Sequence, residues 1–261
     1  DVELDHMLKQ KLTDLEWRIP KTFTELYAQI SEDTIKGIGI SWTSPFHPYA
    51  KYIDVIANDS SFELMNHLFA DTTQDKIILS CWDYELEKIQ LVKQFQFKLF
   101  RKTYMETFEI SALLKRLEQE QSAQTLTPLL EILNEPTLEQ NLFKLLKYNY
   151  KQTHLDNPEK DVPWQTWKEI LLDDNPDLHL SFVVIEGYNV IAYILLHPIS
   201  HDHYELGWVG MNHPTNLLPI LKQQLIQLQR QGVKTVEFEI DTTNHMAWQF
   251  AELLQLEKKK S

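Results

Sequence analysis

The densest set of side chains able to hold a metal is His197, His201, His203 and His213, with Asp202 among them. Their spacing follows no zinc signature and no cysteine stands near, so they read as loop histidines and no metal is expected. Trp164, Trp167, Trp208 and Trp248 have the surface to line an aromatic pocket, although core packing is the commoner use of an indole. Covalent chemistry finds little support. The chain has no Gly-rich phosphate loop, no Gly-x-Ser-x-Gly elbow and no cysteine–histidine couple.

Those residues must be positioned by a chain whose period changes several times. Met7, Leu8, Leu12 and Leu15 share one helical face, and Pro20 opens a second helix carrying Phe23, Leu26, Tyr27 and Ile30. Strands are expected over residues 35–42 and 52–57, around the turn-forming Ser44-Pro45-Phe46-His47-Pro48. A helix at 60–69, a strand at 76–81, a helix at 84–95 and a long alternating strand at 96–109 follow. Residues 111–135 are polar and helical and read as a connector.

A second set then begins at Pro136. It holds helices at 138–150 and 163–172, a hairpin of 180–186 and 189–197 through Gly187-Tyr188, and a strand at 204–211. A helix at 216–231 ends at Gly232, and the strand 233–240 turns at Asp-Thr-Thr-Asn into a helix over 244–254. Shifting the first set by 256 − 97 = 159 residues lays Phe97 on Leu256, Phe95 on Leu254 and Leu91 on Phe250. Strand, strand, helix, strand, helix recurs, so the chain reads as a tandem.

Composition narrows the class. A net charge of −13 leaves no clustered Lys and Arg for phosphates, so no nucleic acid is expected. Cys81 is the single cysteine, which forbids an internal disulfide and suits a cytoplasmic protein. No apolar run is long enough to span a bilayer, and no membrane association is expected. The sequence opens on Asp1 and closes beyond Lys258–Lys260, so the natural ends could lie outside it.

Asn244, Ala247 and Phe250 at the last strand-to-helix turn, together with the element order before them, resemble the GNAT-type N-acetyltransferases. Residues 136–256 look like one such domain and 35–110 like the C-terminal part of another. The resemblance implies an α+β protein of two GNAT-like lobes, mixed sheets flanked by helices. These are a reduced lobe at 1–110, the connector at 111–135, and at 136–261 a lobe with the acetyl-CoA site.

In that family acetyl-CoA lies where two neighbouring parallel strands splay, with its pyrophosphate on the next helix N-terminus. The resemblance puts the splay between 189–197 and 204–211, before the helix 216–231. It offers Trp208, Val209, Gly210, Met211, Asn216 and Asn244 as coenzyme contacts. Asn244 also reads as an N-cap. Glu205, with Glu186 second, is the expected base, and Tyr204 or Tyr193 would supply a hydroxyl.

Three departures accompany the likeness. Residues 211–219, MNHPTNLLP, lack the usual glycines and arginine, leaving Thr215 or Asn216 to cap the helix. Ala251, and Val92 in the first lobe, replace an acidic tyrosine. The strand that should follow the last helix is missing, so the edge is open, completed by another chain as in a homodimer, or cut off with the sequence. The implied function is acetyl-CoA-dependent transfer to a small or peptide amine by direct attack, with cationic acceptors favoured by the net charge. The alternative is a non-catalytic binding or oligomerisation module of the same shape.

Overall fold

The computed structural model describes residues 3–4, 6–14, 25–57, 62–70, 76–120 and 124–255. They fall into two compact units, Asp1–Lys98 with Asp156–Lys160, and Leu99–Leu155 with Asp161–Lys260.

The first unit runs β1 (Glu3–Leu4), α1 (His6–Asp14), β2 (Glu25–Ser31), β3 (Thr34–Thr43), β4 (Ala50–Ala57), α2 (Phe62–Ala70), β5 (Lys76–Ile78) and α3 (Leu86–Gln94). β2, β3 and β4 are successively antiparallel, β5 joins β4 in parallel, and β1 pairs with the start of β3. Ile53, Val55, Leu64, Met65, Leu68 and Leu91 close its core. The helix expected from Pro20 onward is corrected, because residues 25–31 form a strand. Leu26, Tyr27 and Ile30 fit a helical period, but Glu32 and Asp33 both take positive φ (50° and 57°) and fold the segment back as a hairpin. Leu15, Pro20 and Phe23 lie outside the described residues.

The second unit runs β6 (Thr103–Glu109), α4 (Ile110–Arg116), β7 (Leu126–Pro128), α5 (Leu129–Leu133), α6 (Pro136–Thr153), α7 (Trp164–Asp173), β8 (Phe182–Glu186) and β9 (Asn189–Ser200). It continues with β10 (His203–Met211), a 3₁₀ turn (Pro214–Asn216), α8 (Leu217–Arg230), β11 (Thr235–Asp241) and α9 (His245–Leu253). The sheet order is β6-β11-β10-β9-β8-β7, antiparallel except for β10 beside β11. α4, α8 and α9 share a core with one face, where Leu217, Ile220, Leu221, Leu225 and Leu228 are fully buried. Strand alternation sends Val236, Phe238 and Ile240 into that core and turns Glu237, Glu239 and Asp241 to the other face.

Two expectations about organisation are corrected here. The segment ending at 109 is not the last strand of the first lobe, since β6 pairs with β11 from Thr235↔Glu109 to Asp241↔Thr103. Phe108 stacks on Phe238 at 4.8 Å and Tyr104 meets Trp248 edge-on at 5.6 Å, so the aromatics of β6 find their partners in the second core. Residues 111–135 are likewise no free connector, because they include α4 in that core and β7 on β8. The edge beside β11 is therefore filled, which removes the reason for expecting dimerisation there.

The tandem reading holds. The units share the order strand, strand, strand, helix, strand, helix. β5 and β11 begin 235 − 76 = 159 residues apart, and α3 and α9 begin 245 − 86 = 159 apart. Just beyond those helices Gln96 (φ 58°) and Gln255 (φ 51°) both enter the left-handed region, the same helix stop in each unit.

Candidate active site

β10 and β11 pair at His203↔Thr235, Tyr204↔Val236 and Glu205↔Glu237, and then the ladder stops. β10 continues to Met211 and β11 to Asp241, so the two strands diverge. β9 keeps its pairing with β10 as far as Met211↔Ala192. The expected splay between 189–197 and 204–211 is thus corrected to β10 and β11. Strands joined by the tight turn at His201-Asp202 must run antiparallel, whereas α8 supplies the crossover that a parallel pair requires.

The divergence opens a cavity of ≈ 900 Å³, a size suited to a small-molecule site. β10 from Glu205 to Met211 forms one wall and Phe238, Glu239, Ile240 and Asp241 the other. Tyr148, Asn149, Tyr150 and His154 of α6 and its end face the same space, as do Asn244 and Ala247 at the start of α9. The β9–β10 register slips between Leu206 and Trp208, making Gly207 a bulge at the point of divergence. A Cβ on Gly207 would meet His197 Nδ1, and one on Gly210 would meet the Tyr193 ring and hydroxyl. Glycine is needed at both because side chains of β9 lie across them.

Asp174, Glu205, Glu239 and Asp241 line the cavity, with Glu237 beside it. Two of these carboxylates are matched. Glu237 lies 3.2 Å from His203 Nε2, and Asp241 lies 3.6 Å from Arg101 and accepts from the Thr103 hydroxyl. Glu205 and Glu239 have no ion-pair or hydrogen-bond partner among the described residues. Desolvation, then the charges of Glu239, Glu237 and Asp174, holds Glu205 above the usual carboxylate range. Desolvation and Asp241 do the same to Glu239.

A carboxyl raised on folding stabilises the protein below its unfolded pKa, and that contribution is lost as pH rises through the folded value. Glu239→Gln should therefore raise the Tm near neutral pH and leave it unchanged in acid, where both forms are neutral. Scanning calorimetry at the two pH values checks this.

Asp174, just after α7, accepts from Trp208 Nε1 at 2.8 Å and lies 3.4 Å from His197 Nε2. Burial lowers the pKa of His197, with Asp174 opposing it. His197 belongs to β9 and not to a loop.

Of the residues expected to act here, Glu205, Trp208, Val209, Gly210, Met211 and Asn244 line the cavity. Tyr204 does not. Its position one residue from Glu205 sends it to the α8 face, where its hydroxyl donates to Asp177 at 3.4 Å. Asn216 is also away from the cavity, exchanging hydrogen bonds with Asn212 (2.8 Å) and Gln124 (3.4 Å). Neither Thr215 nor Asn216 caps α8. Glu186 sits at the hairpin end of β8 and Ala251 in the core. Of the four tryptophans only Trp208 reaches the cavity, while Trp167 is fully buried.

The Asn244 carboxamide accepts from the Ala247 N–H at 3.0 Å, so it caps α9. Asn244→Ala should cost about 1 kcal/mol of stability, read from denaturant unfolding. Sequence reasoning missed Arg101, Asp174 and the polar end of α6. With its amide turned to suit, Asn149 donates to Met211 O at 3.2 Å and accepts from Met211 N at 3.1 Å. That pairing satisfies the end of β10 where β11 has left it.

Acetyl-CoA, which this fold implies, can be tested against these residues. The unladdered edge of β10 and the adjacent cavity fit a pantetheine arm. Its nucleotide end would meet the turn before α8, whose polar groups are used internally. Asn216 N–H donates to His213 O at 3.1 Å and His213 Nδ1 meets Thr215 Oγ1 at 2.9 Å. Lys222, the first lysine of α8, donates to Glu118 O and Glu120 O.

The first unit has a counterpart pair of parallel strands, β4 and β5, but there β5 ends with the ladder at Ile78. β4 and β5 pair only from Ala50↔Lys76 to Tyr52↔Ile78. Beyond that point Asp54 binds Lys88 at 2.7 Å, both side chains buried. Lys88 stands where the 159-residue shift puts Ala247.

No protein-family model matches the sequence, and no curated protein matches it. Among solved structures, a GCN5-related N-acetyltransferase from Sphaerobacter thermophilus is similar over 90% of this chain and 76% of its own. Its TM-score is 0.56 at 14% identity. An acetyltransferase from the GNAT family of Colwellia psychrerythraea is similar over 96% of this chain and 92% of its own. Its TM-score is 0.51 at 9% identity. At such identities the likeness is one of fold. Among the described residues no helix is long and apolar enough to cross a membrane.

Proposed function

From the GNAT fold of this chain, we propose that it transfers the acyl group of acetyl-CoA to the amine of a small molecule or peptide. The observation that carries this reading is the divergence of β10 from β11 after Glu205 and Glu237, with a cavity of ≈ 900 Å³ beginning there. The bound coenzyme would supply an activated thioester acyl carbon. Trp208, Val209 and Gly210 would hold its pantetheine arm along the open edge of β10.

Glu205 stands at the head of the cavity, on the face away from α8. Burial and the neighbouring carboxylates raise its pKa, which makes it a better base than an exposed carboxylate. It would take the proton released as the amine nitrogen bonds to the acyl carbon and the carbon–sulfur bond breaks. No covalent enzyme intermediate is needed. With Ala251 buried in the core, the departing thiolate would take its proton from water.

One observation favours a second reading, a binding module of the same shape. The turn before α8 has no glycine and its side chains bond one another, where the fold otherwise receives a pyrophosphate. Isothermal titration with acetyl-CoA separates the two. Micromolar binding supports transfer. No heat and no thermal shift at millimolar acetyl-CoA leaves the binding module.

A further inference from the structure

We propose that Asn149 is a positioning residue that ends the open edge of β10. Its carboxamide takes the place at Met211 that a strand's peptide would take, so an arm bearing amides pairs with Val209 and goes no further. This role rests on reading the cavity as an acyl-CoA site and adds what seats the arm there.

In an antiparallel pair the backbone N–H and C=O of successive residues point to opposite sides. The Asn212 N–H, just beyond β10, donates to Ile191 O of β9 at 2.9 Å. The N–H and C=O of Met211 therefore point away from β9, and so do those of Val209. On that side β11 has already left, because its ladder with β10 stops at Glu205↔Glu237. Val209 and Met211 both line the cavity.

At Met211 a side chain of α6 has taken that side. With its amide turned to suit, Asn149 donates to Met211 O at 3.2 Å and accepts from Met211 N at 3.1 Å. A carboxamide carries one donor and one acceptor group in a plane, so it can satisfy both groups of one residue as a neighbouring strand does. The Tyr193 hydroxyl, 2% exposed, shares a hydrogen bond with the same carboxamide and braces it. A Cβ on Gly210 would run into both of them, so glycine there lets the pair close over the strand.

Val209 is then the last residue of the edge before the stop. Pairing along one edge of a strand slips in steps of two residues, roughly 6.5–7 Å. An arm able to pair at Met211 would carry its acyl carbon that far from the place set by Val209. A misplacement of about 1 Å can already cost about 100-fold in rate. Asn149 removes the second register.

The test is amide hydrogen exchange of the whole chain, followed by NMR, in wild type, Asn149→Ala and Asn149→Asp. The aspartate keeps an acceptor for the Met211 N–H, and the alanine does not. In the free proteins Met211 should exchange at least about fivefold faster in Asn149→Ala, while Asn149→Asp stays close to wild type. Asn212, bonded to β9, is the control and should not change. Acetyl-CoA at millimolar concentration should slow Val209 alone in wild type, but both Val209 and Met211 in Asn149→Ala. Thermal unfolding confirms that each variant is folded.

Unchanged Met211 exchange in Asn149→Ala overturns the proposal. So does equal quickening of Asn212, which would mean a loosened strand end, or slowing of Val209 alone when acetyl-CoA is added to Asn149→Ala. Wild type suffices for one further check: acetyl-CoA that slows Met211 there pairs past the stop and overturns it as well. If acetyl-CoA slows neither amide in any of the three proteins, the acyl-CoA reading fails and the seat of the arm with it. The closed edge at Met211 then stands or falls on the exchange of the free proteins.

Discussion

Under the proposed acyl transfer, Glu205→Gln should lower kcat/KM by about 100-fold or more, the usual contribution of a general base. Acetyl-CoA affinity should change little, since in the proposed reaction the carboxylate would face the acceptor amine. The two side chains are nearly isosteric, so the fold is kept, and removing a charge crowded by Glu239, Glu237 and Asp174 should make it slightly more stable near neutral pH. The pH profile gives the sharper test. Only ionised Glu205 can accept a proton, so wild-type kcat/KM rises with pH through the raised pKa, and the variant loses that acidic limb. A variant that kept both the wild-type rate and the limb would show that another group takes the proton.

Lys88→Met destabilises the first unit by about 3–5 kcal/mol, the loss expected when one member of a buried ion pair is removed. Lys88 Nζ lies 2.7 Å from Asp54 and 3.2 Å from Glu85, and the pair's side chains are 9% and 6% exposed. Methionine fills much the same volume but leaves Asp54 buried without its cation. Denaturant unfolding should show a lowered midpoint, and Lys88→Met/Asp54→Leu should recover most of it. A loss below about 1 kcal/mol, or no recovery in the double variant, would mean that water or the other partners of Asp54 make up for the lost cation.

Much of this fold was legible in the chain. Gly187-Tyr188 marked a hairpin, Gly232 ended a helix, and the 159-residue shift foretold that α3 and α9 would begin and end alike. These features were readable because they depend on neighbours a few residues apart. The hairpin at Glu32-Asp33 escaped notice because no glycine marks its positive φ values. β6 was recognised as a strand but given to the wrong sheet, since alternation says which face a side chain takes and not which strand will pair with it.

For the site, the sequence by itself determined the parts within one element. It placed Glu205, Trp208, Val209, Gly210 and Met211 on a single strand and Asn244 at a helix start, and each was found there. Tertiary structure decided everything that depends on pairing. Only the ladder ending at Glu205↔Glu237 shows that β10 parts from β11 and not from β9. Only strand parity beside a packed helix turns Tyr204 away and leaves Glu205 in the cavity. Asp174, Asn149 and Arg101 come from three separate stretches of chain and meet only in the fold. The physical reason is range: capping, turns and side-chain alternation are fixed by covalent neighbours, whereas a cavity exists only where distant strands stop bonding one another.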